Sequence, residues 1–296
     1  MIVRQLEAFA EALSGNGGPV MGKLLVAPFV SPMTRAKLEE HGVGWFDLTG
    51  NVRLRLDRPA VFLDRVGAER SEFRDPAERL LKSLRGPAAA RVVLELADAE
   101  LPLRVRELAE RAKVGAATSA RVLELLHREA VVERAEDGAV TAVHKRSLVE
   151  RWAQDYKVMA SNEVITALDP RGLSHALKVL PALETKVAVT GSAALRAYLP
   201  AGMTPVSPLV TLSLYTEDPV RLMKELGLKR ADRGANVLVM RPYDDVVQEK
   251  ARLVGGVEYA PPAQVVADLV TGQGRSTEEA EQLMTALESS GPGWER

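Results

Sequence analysis

The stretch from residue 103 to residue 143 constrains the fold of this chain more than any other part. Apolar residues recur at helical spacing over residues 105–112 and again over residues 116–128, which predicts two amphipathic helices. Gly115 lies in the short turn between them, and glycine accepts the left-handed backbone that helix ends often need. The inward face of the second helix is predicted to consist of Ala120, Val122, Leu123 and Leu126.

A β-hairpin is predicted directly after this helix pair. Two valine-rich runs, at residues 131–132 and 140–143, flank an Asp-Gly pair, which is typical of a tight hairpin turn. A third helix is predicted before the pair, over residues 87–97, with proline at its tolerated first position. Three helices followed by a hairpin is the order of a winged helix-turn-helix, which we expect at residues 75–145.

In that geometry the second helix of the pair enters the DNA major groove with its N-terminus first. We therefore expect Arg121 to reach a guanine or a phosphate, and Thr118 and Ser119 to donate hydrogen bonds to phosphates. Arg104 and Arg106 lie just before the first helix of the pair and are expected to contact the DNA backbone. These five residues are the predicted DNA-binding set.

Charge does not by itself indicate a nucleic-acid partner. Residues 87–145 contain nine Lys or Arg against ten Asp or Glu, and the whole chain has a formal net charge of -1. A small helical domain that contacts other proteins is therefore the alternative for this region. The expectation of DNA binding comes from the order of the elements, and any basic surface must be local.

Composition excludes several other classes of function. The chain has 296 residues, enough for two or three domains, and its lack of cysteine excludes disulfides and thiol chemistry. The four histidines are too scattered to suggest a metal site. No apolar run approaches membrane-spanning length, and the N-terminus does not resemble a signal peptide. We expect a cytoplasmic protein with no membrane contact, metal or cofactor.

Residues 1–70 are predicted to form a small α/β unit. A helix is expected over residues 1–13, then a strand over 24–30, a helix to about residue 40 with Ser31 as its N-cap and Pro32 at its first position, and strands over 43–48, 52–56 and 60–66. The run VAPFVSPMTRAKLEEHGVGWFDLTGNVRLRL resembles an N-terminal domain of certain bacterial regulators, which is related to the restriction-endonuclease fold.

That resemblance implies a degenerate nuclease site. Active nucleases of this fold hold Mg²⁺ with an Asp on one strand and an acidic-x-Lys motif on the next. Asp47 matches the first Asp, but Arg53-Leu54-Arg55 stands where the acidic-x-Lys motif belongs. We expect a scaffold without nuclease activity. Arg53 and Arg55 share one strand face, where they either contact phosphates or pair with Asp47 or Asp57.

Two connecting segments flank the predicted winged helix. A helix is expected from Asp75 to Leu84, and a basic cluster in this region is a second candidate for phosphate contacts: Arg79, Lys82, Arg85 and Arg91. A connecting helix is expected over residues 146–161. Its Trp152 and Tyr156 share a face and are expected to pack in a domain or dimer interface.

Residues 162–296 alternate strands and helices, and one turn in this portion carries a motif. A strand ending at residue 189 runs through Gly191-Ser192 into a helix, which resembles the nucleotidyltransferase fold, where such a turn cradles a triphosphate. That fold also needs two carboxylates on a following strand, but this chain has Thr211 and Ser213 there. Gly191 and Ser192 are thus a candidate ligand turn without the metal carboxylates.

The run YAPPAQVVADLVTGQGRSTEEAEQL resembles the matching region of AbiEi-type antitoxins, the DNA-binding partners of nucleotidyltransferase toxins in abortive-infection systems. The resemblance implies a winged helix joined to a nucleotidyltransferase-like domain that is usually not an active enzyme. The implied partners are double-stranded DNA and a toxin protein, with a second copy of the chain as a further candidate.

Together these observations predict an α/β multidomain chain. Its parts are a nuclease-like domain at 1–70, a winged helix at 75–145, a connecting helix at 146–161 and a nucleotidyltransferase-like domain at 162–296. The expected function is non-enzymatic, sequence-specific transcriptional regulation. The alternatives are a nucleotidyltransferase using Asp218 or Asp244-Asp245, a nuclease using Asp47, and a module that binds a nucleotide or toxin without reacting.

Overall fold

The computed structural model describes residues 22–57, 60–69, 81–289 and 291–295. The chain divides into two compact units, Met1–Leu80 and Leu81–Arg296, each of which is described by itself. The helix expected over residues 1–13 lies outside the described residues. Of the helices in the described ranges, none combines the length and apolar character that crossing a membrane requires.

The first unit contains a four-stranded sheet in the order β1-β2-β3-β4, with one helix against it. The parallel pair is β1 and β2, and the other neighbours are antiparallel. Leu38 and Trp45 anchor a small core between helix and sheet. The elements are β1 (Leu24–Ala27), α1 (Pro32–Glu40), β2 (Gly44–Asp47), β3 (Val52–Asp57) and β4 (Ala60–Arg65).

Local signals placed the helix of this unit correctly. The hydroxyl of Ser31 accepts the backbone N–H of Thr34 at 3.2 Å, and Pro32 occupies the first helical position, as predicted. The first strand is shorter than predicted, because the N–H of Val30 donates to Asp47 Oδ2 at 2.9 Å instead of to a neighbouring strand.

The second unit begins with the helices and hairpin that the sequence predicted. Residues 81–85 are not helical, so the helix expected up to Leu84 is wrong at its described end. The side chain of Leu84 is instead buried, and its N–H donates to Asp155. The elements are α2 (Pro87–Asp98), α3 (Val105–Arg111), α4 (Ala116–Arg128), β5 (Val132–Arg134), β6 (Val140–Val143), α5 (Lys145–Asp155) and α6 (Val158–Ser161).

A seven-stranded mixed sheet follows in the same unit, in the order β10-β7-β11-β9-β8-β13-β12. Leu212, Leu214, Val237 and Val239 on its central strands are fully buried. The elements are β7 (Glu163–Leu168), α7 (Leu173–Val179), β8 (Ala188–Thr190), α8 (Gly191–Tyr198), β9 (Leu212–Tyr215), α9 (Pro219–Glu225), β10 (Lys229–Arg230), β11 (Val237–Arg241), α10 (Val246–Glu249), β12 (Arg252–Val254), β13 (Val257–Tyr259), α11 (Pro262–Val270) and α12 (Ser276–Glu288).

Tyr259 ends β13, and α11 begins at Pro262, the second of two consecutive prolines. Arg275 is the N-cap of α12. The alternation of strands and helices that the sequence predicted is confirmed.

Candidate nucleic-acid interface

The exposed face of α4 at its N-terminal end differs by one residue from the predicted face. Ala120 was placed on the inward face but is exposed, whereas Ser119 is fully buried. Ser119 lies three and four residues before Val122 and Leu123, so it shares their buried stripe. The outward residues at this end are Ala116, Ala117, Ala120 and Arg121.

Ser119 therefore leaves the predicted DNA-binding set. Its side chain is 0% exposed, so its hydroxyl cannot reach a phosphate while the helix is packed. The hydroxyl also has no hydrogen-bond partner within the described residues. A buried hydroxyl without a hydrogen-bond partner destabilises a folded protein.

Thr118 and Arg121 lie together on the outward side of α4. Arg121 Nε donates to the carbonyl of Ala117 at 3.2 Å, and its Nη2 donates to Thr118 Oγ1 at 3.3 Å. Both bonds are long for charged donors, and the guanidinium is exposed. Arg121 can therefore exchange these contacts for a phosphate or a guanine edge at little cost.

The first helix of the pair presents two exposed arginines at its start. Arg104 is the N-cap of α3. Arg106 was predicted to precede this helix but lies within its first turn. Arg106 lines a shallow depression with the turn and the start of α4. The other residues around it are Ala109, Glu110, Lys113, Val114 and Ala116.

Lys113 is a cation at this depression that sequence reasoning missed. It has a φ of 54°, so it occupies the left-handed turn position that had been assigned to Gly115. Gly115 instead has extended backbone angles and is the N-cap of α4. A lysine two residues before the glycine of the predicted turn was the available signal.

The start of α4 has no side-chain cap. Gly115 cannot supply a side-chain oxygen to the first backbone N–H groups of this 13-residue helix. Uncapped N–H groups and the positive end of the helix dipole favour an incoming anion. The exposed alanines Ala116 and Ala117 leave room for one to approach.

The exposed charges on the hairpin β5–β6 are acidic, unlike the basic ones near the start of α4. Glu133, Glu136 and Asp137 are exposed on it, whereas Arg134 donates to the carbonyl of Gly138 and pairs with Glu124 at 3.4 Å. An acidic hairpin would repel DNA phosphates. The exposed lysine and arginines of the helix pair therefore lie on α3, in the turn and on α4, with Arg128 at the far end of α4.

Arg91 is the second predicted phosphate contact that the structure contradicts. Its side chain is 14% exposed, and its guanidinium pairs with Asp244 at 2.6 Å and with Glu249 at 3.2 Å. These partners hold the pKa of Arg91 above its usual value despite the opposing effect of burial. Arg85 and Lys82 are exposed, whereas Arg79 lies outside the described residues.

In the first unit, Arg53 is engaged by side chains other than the predicted ones. It pairs with Glu39 at 2.5 Å and with Asp64 at 3.0 Å, and its guanidinium lies over the ring of Trp45. Of the two expected uses, pairing on a strand face therefore describes Arg53 better than phosphate contact. Arg55 is exposed.

Asp47, the candidate nuclease carboxylate, is 1% exposed and saturated with donors. It accepts hydrogen bonds from the backbone of Val30, from the backbone and hydroxyl of Thr49, and from the backbone and amide of Asn51. Burial opposes ionisation, but these bonds outweigh it and lower the pKa of Asp47. The arrangement holds the turn after β2.

The Gly191-Ser192 turn lies between a strand and a helix, as expected, but the hydroxyl of Ser192 is already bonded within the protein. Gly191 opens α8 with a φ of 63°, and a Cβ there would lie 3.5 Å from Ser213 Oγ on the neighbouring strand β9. The hydroxyl of Ser192 donates to the buried carboxylate of Glu279 at 2.6 Å. A carboxylate beside this turn disfavours a triphosphate.

The other candidate carboxylates have separate tasks. Asp218 caps α9 by accepting the N–H of Arg221, Asp244 pairs with Arg91, and Asp245 is the N-cap of α10. Across the described ranges, acidic and histidine side chains form no group of three or more that could hold a metal ion.

Sequence reasoning missed a buried polar network around Asp268. Its carboxylate accepts hydrogen bonds from Thr190 at 2.5 Å, Tyr156 at 2.7 Å, Gln264 at 2.8 Å and Tyr215 at 2.9 Å. Burial raises the pKa of Asp268 to about 6, although the bonds from Thr190, Tyr156 and Gln264 lower it. Three of its donors, Tyr156, Thr190 and Tyr215, lie more than 50 residues away along the chain, so no local pattern marks the network.

Comparison with known families supplies the wider context. Residues 141–288, half of the chain, match the model of a family described as transcriptional regulator, AbiEi antitoxin, type IV TA system. Neither the curated proteins nor the solved structures include a significant match. The match covers most of β6, the two helices α5 and α6 that stand where one connecting helix was predicted, and the seven-stranded sheet region through α12. On this evidence, the chain belongs to the AbiEi antitoxin family of transcriptional regulators from type IV toxin–antitoxin systems.

Proposed function

We propose that this chain is a sequence-specific DNA-binding regulator that contacts double-stranded DNA through α3 and the start of α4. In this proposal α2, α3, α4 and the β5–β6 hairpin form a winged helix-turn-helix. The observation that supports it most is the depression between the two helices, which is lined by Arg106 and Lys113 and borders the uncapped start of α4.

The proposed contacts divide into two kinds. Arg104, Arg106 and the N–H groups at the start of α4 bind phosphates, which supplies affinity without reading the sequence. Arg121, with Thr118 beside it, faces the groove and reads a base edge. The alanines between them permit the close approach that this reading needs.

The test is a pair of substitutions on one helix. If Arg121 reads a base, Arg121→Ala weakens binding to the native upstream duplex by about 1–3 kcal/mol. Arg128→Ala, at the other end of α4 and also exposed, removes the same charge and is the matched control. Equal losses for the two variants would contradict a specific role for Arg121.

We also propose that neither α/β region is an enzyme. The saturated carboxylate of Asp47 and the contact of Ser192 with Glu279 support this, because neither group is available to a metal ion or a triphosphate. The experiment offers labelled nucleoside triphosphates, and separately duplex DNA, with Mg²⁺. Turnover that disappears in Ser192→Ala or Asp47→Asn would overturn this part of the proposal.

Partners beyond DNA follow from the family. We propose that the regulated genes include a toxin and that the chain binds its operator as a dimer. Dimerisation is tested by light scattering during size-exclusion chromatography, with and without the operator duplex. The same measurement with the toxin protein added tests direct contact between the two proteins. A monomer bound to one half-site would contradict the dimer.

A further inference from the structure

One ion pair links the proposed DNA interface directly to the sheet region of the same unit. Lys113 lies in the turn between α3 and α4, and its side chain is 64% exposed. Its Nζ lies 3.0 Å from Glu249 Oε2, at the end of α10. A cation on the DNA-facing turn is therefore already held by a carboxylate of the protein.

The surroundings of Glu249 favour its charged form, which maintains the ion pair with Lys113. The hydrogen bond from Lys113 and a further one from Arg91 lower the pKa of Glu249, against the opposing effect of burial. The carboxylate is partly exposed, at 37%, so it faces the solvent beside the depression. A DNA phosphate approaching Lys113 would meet this negative charge at short range.

The surrounding contacts do not depend on Glu249. Arg91 retains Asp244 at 2.6 Å, and two more ion pairs join α2 to the same segment, Glu95 with Lys250 and Asp98 with Arg252. Removing the charge of Glu249 would therefore free Lys113 while the two parts stay attached.

We infer that Glu249 is an internal competitor for DNA, occupying the ammonium group of Lys113 that a backbone phosphate takes in the complex. This inference rests on the proposed function and adds regulation to the same interface. Because coupling between sites is reciprocal, a ligand that moves α10 away from the turn strengthens DNA binding, and DNA binding favours that movement.

The test is Glu249→Gln, which keeps the shape of the side chain and removes its charge. The expected result is binding to the native duplex tighter by about two- to fivefold, the scale of an exposed ion pair. The dependence of log Kd on log salt becomes steeper by about one phosphate contact. Glu217→Gln is the control, since Glu217 is exposed and lies outside these ion pairs.

A double-mutant cycle separates competition from a general charge effect. Lys113→Ala abolishes the gain of Glu249→Gln, and by itself weakens binding less than it does in the Glu249→Gln background. Thermal unfolding of each variant confirms that the comparison is between folded proteins.

The outcomes distinguish this inference from the function on which it rests. If wild type prefers its native duplex but Glu249→Gln binds no tighter, or Glu217→Gln gains equally, the competitor role is overturned and DNA regulation stands. If neither wild type nor Glu249→Gln binds any duplex at low salt, the proposed function fails, and this inference with it.

Discussion

The hydroxyl of Tyr156 donates a 2.7 Å hydrogen bond to Asp268, a carboxylate that lies 112 residues further along the chain and is 4% exposed. Tyr156 directly follows α5, the helix that leads out of the helical region, whereas Asp268 lies on α11, which contacts β8 of the seven-stranded sheet. This bond therefore ties the helical region to the sheet region within one compact unit.

The first prediction concerns that bond. Tyr156→Phe keeps the ring, which stacks on Trp152, but removes one donor to Asp268. We expect a loss of about 1–3 kcal/mol in the free energy of unfolding, measured from urea midpoints. Tyr259→Phe, on a partly exposed ring outside the network, is the control. Equal shifts of the urea midpoint for both variants would show that the bond from Tyr156 to Asp268 adds no particular stability.

The second prediction is a pH dependence with a definite sign. Because burial raises the pKa of Asp268 from 3.8 to about 6, the folded state binds this proton more tightly than the unfolded state. The contribution of Asp268 to the unfolding free energy is fully present below its pKa in the unfolded state. That contribution is lost as the pH rises through about 6. The unfolding free energy of wild type, relative to Asp268→Asn, should therefore fall between about pH 4 and pH 7.

The check is a set of urea midpoints for both proteins across that range, with a carboxyl NMR titration of Asp268. A difference that is flat with pH, or that increases, would contradict the raised pKa.

The third prediction tests Asp47 as the anchor of the turn after β2. Asp47→Ala removes the acceptor for Val30, Thr49 and Asn51, and bonds to a charged group contribute about 1.5–3 kcal/mol each. The amides of Val30 and Asn51 should exchange with solvent at least about tenfold faster. Asp64→Ala, which removes only an exposed partner of Arg53, should leave both rates nearly unchanged.

The fourth prediction follows from the buried hydroxyl of Ser119. Ser119→Ala removes a group without a partner among the described residues, so the unfolding free energy should stay equal or rise by up to about 1 kcal/mol. Affinity for the native duplex should change less than about twofold. A large loss of affinity with unchanged stability would return Ser119 to the binding set.

Periodicity and turn chemistry predicted the helices around residue 115 and the hairpin after them, because each signal is local. The side of α4 was harder, since Ser119 and Ala120 differ by one residue and polarity suggested that the serine points outward. The packing of Val122 and Leu123 decides which of the two residues is buried, and the sequence alone does not show that packing.

Long-range partners explain the other differences. Arg91 resembled a free cation until the fold brought Asp244 beside it, and Asp268 gave no signal because Tyr156 and Tyr215 are distant in sequence. The short strands β10, β12 and β13 contain two or three residues, too few for alternation to be recognised.

Duplex binding tests most directly whether the helix pair α3–α4 reads DNA. Fluorescence anisotropy should compare the duplex upstream of the gene with a scrambled duplex over a series of salt concentrations. We expect tighter binding to the native duplex, with log Kd rising linearly with log salt at a slope of several phosphate contacts. Absence of binding to either duplex at low salt would contradict it and make α3 and α4 a protein-contact surface.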